Sequence, residues 1–295
     1  MYHLLKMTLA AALDQGTERL ARLAQRPSAR RDAELLLMRA AGIDRAFLLT
    51  HPDAALTPEQ LATYNQWIDR RAQHEPVQYI TREQEFYGLP LRVTPDVLIP
   101  RPETEHLVDA ALERLPHNKP VTIADVGTGS GAIAIALAHA LPLASLTALD
   151  TSSAALAVAL HNAERHHLAN RIRFLESDLL SAVASETFDA VVSNPPYVSE
   201  LEVLEPQVYN FEPHAALFAG CTGLEIYRRL IPQARQCLKP NGWLLMEIGH
   251  NQRDAIASLL TGWTAITFVS DLQGIPRVAI ARAPSTPLPR PPQSN

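Results

Sequence analysis

Apolar positions keep a helical rhythm through the first 75 residues and lose it at Pro76. Ala33, Leu36, Leu37 and Ala40 recur at helical spacing after Ser28, and Gly42 stands where such a helix would be capped. Thr57-Pro58-Glu59-Gln60 reads as a helix start: Thr57 can cap, Pro58 suits the first helical position, and Gln60 can reach back to the cap. Leu61, Tyr64 and Ile68 continue the apolar face, and the helix must stop before Pro76, whose ring disfavours a helical residue ahead of it. A small helical bundle is predicted over residues 1–75.

Over 76–100 the apolar residues Val77, Tyr79, Phe86, Tyr87, Leu89, Leu91, Val93, Val97 and Ile99 are broken by Gly88, Pro90 and Pro95. That pattern predicts short strands and turns, a β-hairpin linker. From 101 to 283 strand and helix alternate. Strands are predicted at 121–126, 145–149, 171–175, 188–193 and 243–248, with an alanine-rich helix ending near Pro142 and another over 153–167. Such alternation predicts an α/β domain built on a mainly parallel, doubly wound sheet. The stretch 284–295 (PSTPLPRPPQSN) is too proline-rich for a hydrogen-bonded ladder and is predicted to be a disordered tail.

Composition adds little to the fold but narrows the function. The 295 residues are 47% hydrophobic and 19% charged, enough apolar content to bury a core. Net charge is −5; residues 1–75 hold ten Lys/Arg against nine Asp/Glu, and the rest sixteen against twenty-two. Proteins held on phosphates carry a basic excess, so no direct nucleic-acid binding is expected. Two cysteines, Cys221 and Cys237, cannot build a disulfide framework or a four-ligand metal site, and both are expected to be buried free thiols. His161, His166 and His167 are read as a solvated helical face, so no metal is expected. The N-terminus lacks a signal-peptide pattern and no apolar run reaches membrane-spanning length, which predicts a cytoplasmic protein.

The first chemical signal is Asp125-Val126-Gly127-Thr128-Gly129-Ser130-Gly131, between a predicted strand and a predicted helix. Glycines there permit a sharp turn and close backbone approach to a ligand, and the following helix start offers free N–H groups. Asp150 ends the next strand, at the place from which a carboxylate can hold ribose hydroxyls. Gly127, Thr128, Gly129, Ser130, Gly131 and Asp150 are therefore candidate nucleoside-binding residues. Gly127-x-Gly129-x-x-Ala132 also satisfies a dinucleotide fingerprint, so the loop alone leaves the cofactor open. Asp178 follows the third strand, where it can accept a hydrogen bond from an adenine amino group while Leu179 packs on the ring; a helix-capping role is the alternative.

The second signal is Ser193-Asn194-Pro195-Pro196-Tyr197, directly after the strand at 188–193. Two prolines remove backbone donors and hold the chain extended, leaving carbonyl oxygens unpaired at the rim where such sheets bind ligands. Asn194 adds a side-chain carbonyl and Tyr197 an aromatic face. This collection of acceptors suits an –NH2 group on a planar centre, whose delocalised lone pair makes it a poor nucleophile. Asn194 and the Pro195 carbonyl can hold its two protons so that the nitrogen faces an electrophile, and orientation of that kind can supply about 7–11 kcal/mol.

Asn-Pro-Pro-Tyr in this position resembles the amino-methyltransferase signature shared by DNA adenine, RNA guanine and protein glutamine enzymes. Pro76-Val77-Gln78-Tyr79-Ile80, Glu85-Phe86-Tyr87-Gly88-Leu89, Leu98-Ile99-Pro100-Arg101-Pro102-Glu103-Thr104-Glu105, Arg31-Asp32-Ala33-Glu34-Leu35-Leu36-Leu37, Asn210-Phe211-Glu212-Pro213 and Asp271-Leu272-x-Gly274-x-Pro276-Arg277 resemble the release factor glutamine methyltransferase (HemK/PrmC) family from about residue 30 to 282. The resemblance implies a Rossmann-like methyltransferase with a mixed, mainly parallel seven-stranded sheet behind a helical domain that binds class I release factors. It also implies S-adenosylmethionine as cofactor, the Gly-Gly-Gln glutamine as acceptor, and a monomer. Asn194, Pro195 and Tyr197 become the catalytic set, Asn194 also counts with the cofactor-binding residues, and Arg101 joins Asn194, Pro195, Pro196 and Tyr197 as substrate-binding residues.

Relatives that methylate a ribosomal-protein glutamine tend to carry Pro-Arg-Ser-Pro where this chain has Pro100-Arg101-Pro102-Glu103, which favours release factors. A DNA or RNA amino-methyltransferase shares the Asn-Pro-Pro-Tyr motif but is disfavoured by the negative charge. A non-catalytic cofactor-binding protein would lack an intact motif, and a nicotinamide oxidoreductase would not need it. Three positions depart from the family pattern: Arg82 replaces a usual glycine, Leu179 a frequent aromatic and Asn210 a usual arginine.

Overall fold

The computed structural model describes residues 7–24 and 28–285, so the tail predicted at 284–295 lies almost wholly outside the described residues. The elements in chain order are α1 (Leu9–Ala24), α2 (Ala29–Ala41), α3 (Arg45–Thr50), α4 (Pro58–Ala72), α5 (Val77–Thr81), β1 (Glu83–Phe86), β2 (Leu89–Arg92), α6 (Glu105–Leu112), β3 (Val121–Val126), α7 (Ala132–Ala140), β4 (Ala144–Asp150) and α8 (Ser153–Arg165). They continue with β5 (Ile172–Glu176), β6 (Phe188–Ser193), α9 (Pro206–Phe211), α10 (Glu225–Cys237), β7 (Leu238–Glu247), α11 (Arg253–Leu259), β8 (Thr264–Ser270) and β9 (Pro276–Arg282). The chain divides into two compact units. One holds the described residues up to Glu83 with Leu204–Phe211, the other Gln84–Val203 with the described residues from Glu212.

The first unit is helical. Gly42 ends α2 in the left-handed conformation, its N–H donating to the Met38 carbonyl. The capping box is complete at α4: the Gln60 N–H donates to Thr57 Oγ1 at 3.2 Å, and the Thr57 N–H to Gln60 Oε1 at 2.9 Å. Leu36, Leu37, Tyr64 and Ile68, all within the apolar stripes read from sequence, are buried together with Leu20 and Ile80. Gly16 lets α1 pass close to Tyr64, because an added Cβ would stand 2.0 Å from the tyrosine oxygen. Buried Asp32 accepts from Arg71 Nε at 2.7 Å, which pairs two charges that would each be costly alone.

One element differs from the sequence reading. Residues 77–81 fall in the stretch predicted to hold short strands and turns, yet they form α5. The Pro76 carbonyl accepts from the Tyr79 and Ile80 N–H groups, and Tyr79 and Ile80 are buried, so tertiary burial overrides a short β-rich pattern. Arg82 ends α5 with φ 59°, taking the left-handed conformation for which glycine is the usual choice. The hairpin nonetheless forms, β1 pairing with β2 across a turn in which Tyr87 and Gly88 both have positive φ.

The second unit is a seven-stranded sheet of order β5-β4-β3-β6-β7-β9-β8. β3, β4, β5, β6 and β7 run parallel, and β9 and β8 pair antiparallel at one side, which gives the mixed, mainly parallel sheet implied by the family resemblance. α11 carries the strand–helix alternation from β7 to β8, and β9 then follows β8 without a helix; the strands predicted from sequence end at 243–248 and include neither. Strand order reverses between β3–β4 and β3–β6, which opens a crevice at the carboxyl ends of these strands. α7 is apolar all round (Ala132-Ile133-Ala134-Ile135-Ala136-Leu137-Ala138) and entirely buried over that run. Asn162 of α8, fully buried, spends its amide on the backbone N–H and C=O of Arg92 and on the Ser130 carbonyl, tying β2 to the glycine loop. Of the two cysteines only Cys237 is buried; Cys221 is exposed because it falls in the turn before α10 rather than within the helix.

Candidate active site

The glycine loop is built as its sequence predicts. Gly127, Gly129 and Gly131 all have positive φ, and the Gly127 and Thr128 N–H groups donate to the Leu149 carbonyl at 2.8 and 2.9 Å. A Cβ at Gly131 would crowd Ile135 and Ala159, whereas one at Gly129 would meet nothing within 4 Å. Gly131 therefore serves helix packing, while Gly129 borders open space. Fully buried Asp125 braces the loop from below, accepting from Thr128 Oγ1 at 2.7 Å and the Ala134 N–H at 3.2 Å. Burial pushes its carboxyl up to about 7.

A cavity of about 270 Å³ opens over this loop. Gly127, Thr128, Gly129, Ser130, Asp150, Asp178, Leu179, Asn194, Pro195 and Pro196 all line it, so the structure brings together nearly every predicted site residue. Asp150 Oδ2 accepts from the Gly129 N–H and Oδ1 from the Ser152 N–H, both at 2.9 Å, which leaves a second lone pair on each oxygen for a ligand. The two readings of Asp178 separate here. No side chain caps the short helix at Ser181–Val183; Ser177 Oγ accepts from the Ala182 N–H at 3.1 Å, while the Asp178 carboxylate pairs with Arg229. Leu179 reaches the cavity with φ 54°, a left-handed conformation that costs a non-glycine residue of order 1–3 kcal/mol.

The Asn-Pro-Pro-Tyr segment is held by side chains far away in sequence. Ser193 Oγ donates to the Val126 carbonyl at 2.7 Å, locking the start of the segment to the glycine-loop strand. Asn194 Nδ2 donates to Thr104 Oγ1 at 3.1 Å, and Thr104 Oγ1 donates to Glu247 Oε2 at 2.5 Å. Neither Asn194 Oδ1 nor the Pro195 carbonyl takes a hydrogen bond from a described residue. Tyr197 does not line the cavity. Its hydroxyl donates to Glu247 Oε1 at 3.2 Å and its carbonyl accepts from Gln252 Nε2 at 3.0 Å, so it anchors the loop rather than presenting its face. Burial, then the charge of Glu247, raises its phenol well above the usual range.

Arg101 is likewise off the cavity wall, on Glu212 Oε1 at 2.5 Å, while Glu212 Oε2 accepts the Ile99 N–H at 3.2 Å. Buried Glu212 thus clamps the 99–101 loop that flanks the cavity. Sequence reasoning passed over Asp96, Thr104, Glu212 and Glu247; Thr104 and Glu212 lay inside motifs already recognised, but nothing local marked their partners. Among the described residues no cluster of His, Cys, Asp and Glu could hold a metal, and His166 contacts the Pro90 carbonyl instead.

A switch-point cavity with a left-handed glycine loop, an acid at the end of β4 and an Asn-Pro-Pro-Tyr rim defines a Rossmann-like methyltransferase. Likeness to solved structures agrees on the fold. The hMettl16 catalytic domain in complex with an RNA hairpin aligns with TM-score 0.54 at 18% identity, covering 80% of this chain and 85% of that one. A T. thermophilus 16S rRNA N2 methyltransferase in complex with AdoMet and guanosine gives 0.52 at 18%, covering 67% and 49%. The PrmC N-terminal domain matches residues 11–81 and the methyltransferase small domain residues 107–216. The chain is 48% identical over 283 residues to the release factor glutamine methyltransferase of Koribacter versatilis (95% of this chain, all of that one) and 43% identical to that of Geobacter sulfurreducens (86% and 90%). This chain belongs to the release factor glutamine methyltransferase family.

Proposed function

We propose that the enzyme transfers a methyl group from S-adenosylmethionine to the side-chain amide nitrogen of the glutamine in the Gly-Gly-Gln loop of class I release factors. The observation that carries this reading is the pair of free acceptors, Asn194 Oδ1 and the Pro195 carbonyl, beside a cavity built for a nucleoside. The residues present fit the cofactor. The Gly129 side of the loop is open to close backbone approach, Asp150 keeps lone pairs for ribose hydroxyls, and Asp178 with Leu179 supplies an acceptor and an apolar face for a base. Bound S-adenosylmethionine supplies an electrophilic methyl on a sulfonium.

The chain's own residues do the positioning. Asn194 and the Pro195 carbonyl accept the two protons of the acceptor amide, which fixes its plane and turns the nitrogen toward the cofactor. Pro195 and Pro196 contribute no N–H that could compete for them. The methylated nitrogen is acidic and releases its proton without a dedicated base. Tyr197 serves by holding the loop on Glu247, and Arg101 by holding the 99–101 loop on Glu212. The first unit binds the release factor; addition of that protein should slow hydrogen exchange in α1, α2 and α4, and unchanged exchange there would contradict this role. No helix among the described residues is long and apolar enough to cross a membrane. A release-factor substrate is met in the cytoplasm, the net charge of −5 supports a protein acceptor over nucleic acid, and the enzyme is read as a monomer.

The cofactor assignment has its own test. Asp150→Ala removes the acceptor of the Gly129 and Ser152 N–H groups together with the ribose contact, and a charge-assisted hydrogen bond is worth about 1.5–3 kcal/mol. Calorimetry should show S-adenosylmethionine binding weakened by about 10- to 100-fold. Unaltered affinity, or tighter binding of NADH by the wild type, would remove Asp150 and the loop from the account.

A further inference from the structure

Thr104 and Glu247 are 3% and 2% exposed, and the reaction as described does not use them. Thr104 lies in the cavity wall beside Asn194; Glu247, at the end of β7, is not part of that wall. A threonine hydroxyl has one proton and two lone pairs. With its proton given to Glu247 Oε2, Thr104 Oγ1 can only accept, so Asn194 must turn its NH2 toward Thr104 and leave its oxygen for the cavity. We propose that Thr104 and Glu247 are positioning residues forming a relay that locks the Asn194 amide oxygen toward the acceptor nitrogen. The proposal rests on the role given to Asn194 above. The relay also polarises the amide: an Asn194 N–H donating into a hydroxyl that itself donates to a carboxylate makes Oδ1 a stronger acceptor.

The relay reverses if Glu247 takes up a proton. The carboxylic acid then donates to Thr104 Oγ1, and the threonine proton is free to turn to Asn194. The asparagine amide flips to accept it and presents NH2 to the substrate's NH2, donor against donor. Burial pushes the Glu247 carboxyl up to about 7, with Thr104 and Tyr197 lowering it by hydrogen bonding, Glu103 raising it and Arg277 of β9 lowering it. Tyr227 of α10 donates to the Glu247 backbone carbonyl and leaves the carboxylate alone. The ionised form is the competent one, so turnover is full above this titration and is lost as pH falls through it.

The experiment compares wild type, Thr104→Val, Thr104→Ser and Glu247→Gln, each with saturating S-adenosylmethionine and release factor varied up to saturation. Turnover is followed from about pH 5.5 to 9, and Glu247 is titrated by NMR of 13C-carboxyl-labelled glutamate. Wild-type kcat should fall about tenfold per pH unit on the acid side. Thr104→Val should lose about tenfold or more in kcat at high pH with KM for the release factor little changed, and Thr104→Ser should recover most of it. Glu247→Gln, which mimics the protonated acid, should be slow and insensitive to pH over the same range. In the NMR titration Thr104→Val should raise the Glu247 transition, because the carboxylate loses a donor.

Wild-type kcat with an intact acid limb in Thr104→Val or Glu247→Gln overturns the relay. So does an unmoved Glu247 titration in Thr104→Val. Absence of release-factor methylation by the wild type overturns the acceptor assignment instead, and the NMR titration then decides the relay alone.

Discussion

Asn194→Ala lowers turnover by about 10²–10³ while S-adenosylmethionine affinity stays within about threefold of wild type, by analogy with removal of one preorganised polar group from other active sites. The separation follows from where Asn194 is held. Its Nδ2 is committed to Thr104, its oxygen takes no hydrogen bond from a described residue, and Asn194 lines the cavity with Pro195, whereas the other groups assigned to the cofactor belong to the glycine loop, Asp150, Asp178 and Leu179. Loss of the oxygen leaves one proton of the acceptor amide unpaired and the nitrogen free to rotate out of line. The loss belongs in kcat rather than in cofactor binding, and single-turnover kinetics beside calorimetry resolves the two. Wild-type turnover in Asn194→Ala would make the segment a structural loop.

The second large effect is in the substrate. A release factor whose Gly-Gly-Gln glutamine is changed to glutamate should accept no methyl at that position, a loss to background. A carboxylate has no N–H protons to offer Asn194 and Pro195, and it would set its own lone pairs against two acceptors. Like-charged or acceptor–acceptor contacts in a water-poor site cost a full desolvation penalty rather than a weakened bond. Quantifying label transferred to the altered protein checks this. Sustained labelling of the glutamate form, with efficient methylation of duplex DNA, would move the acceptor to the nucleic-acid class.

Features whose partners lie close in sequence were legible there. The Thr57–Gln60 capping box spans three residues, and it formed as its residue types predict. The glycine loop needed only positive φ at Gly127, Gly129 and Gly131, and the β3, β4 and β6 strands needed only their β-rich runs. Tyr197 and Arg101 were another matter. Their residue types suit substrate contact, but Glu247 and Glu212 claim them from 50 and 111 positions away. No periodicity reports such pairings. Asp178 was readable as far as the cavity, yet its pairing with Arg229, 51 positions on, was not. Residues 77–81 fail for the opposite reason: local β propensity was plain, and burial of Tyr79 and Ile80 outweighed it.

The most direct measurement is mass spectrometry of a class I release factor after incubation with this protein and S-adenosylmethionine. One methyl group, about 14 Da, is expected on the peptide that carries Gly-Gly-Gln, with fragmentation locating it on the glutamine side chain. A release factor left unmodified while S-adenosylmethionine binds normally, or a methyl found on any residue other than that glutamine, would contradict it.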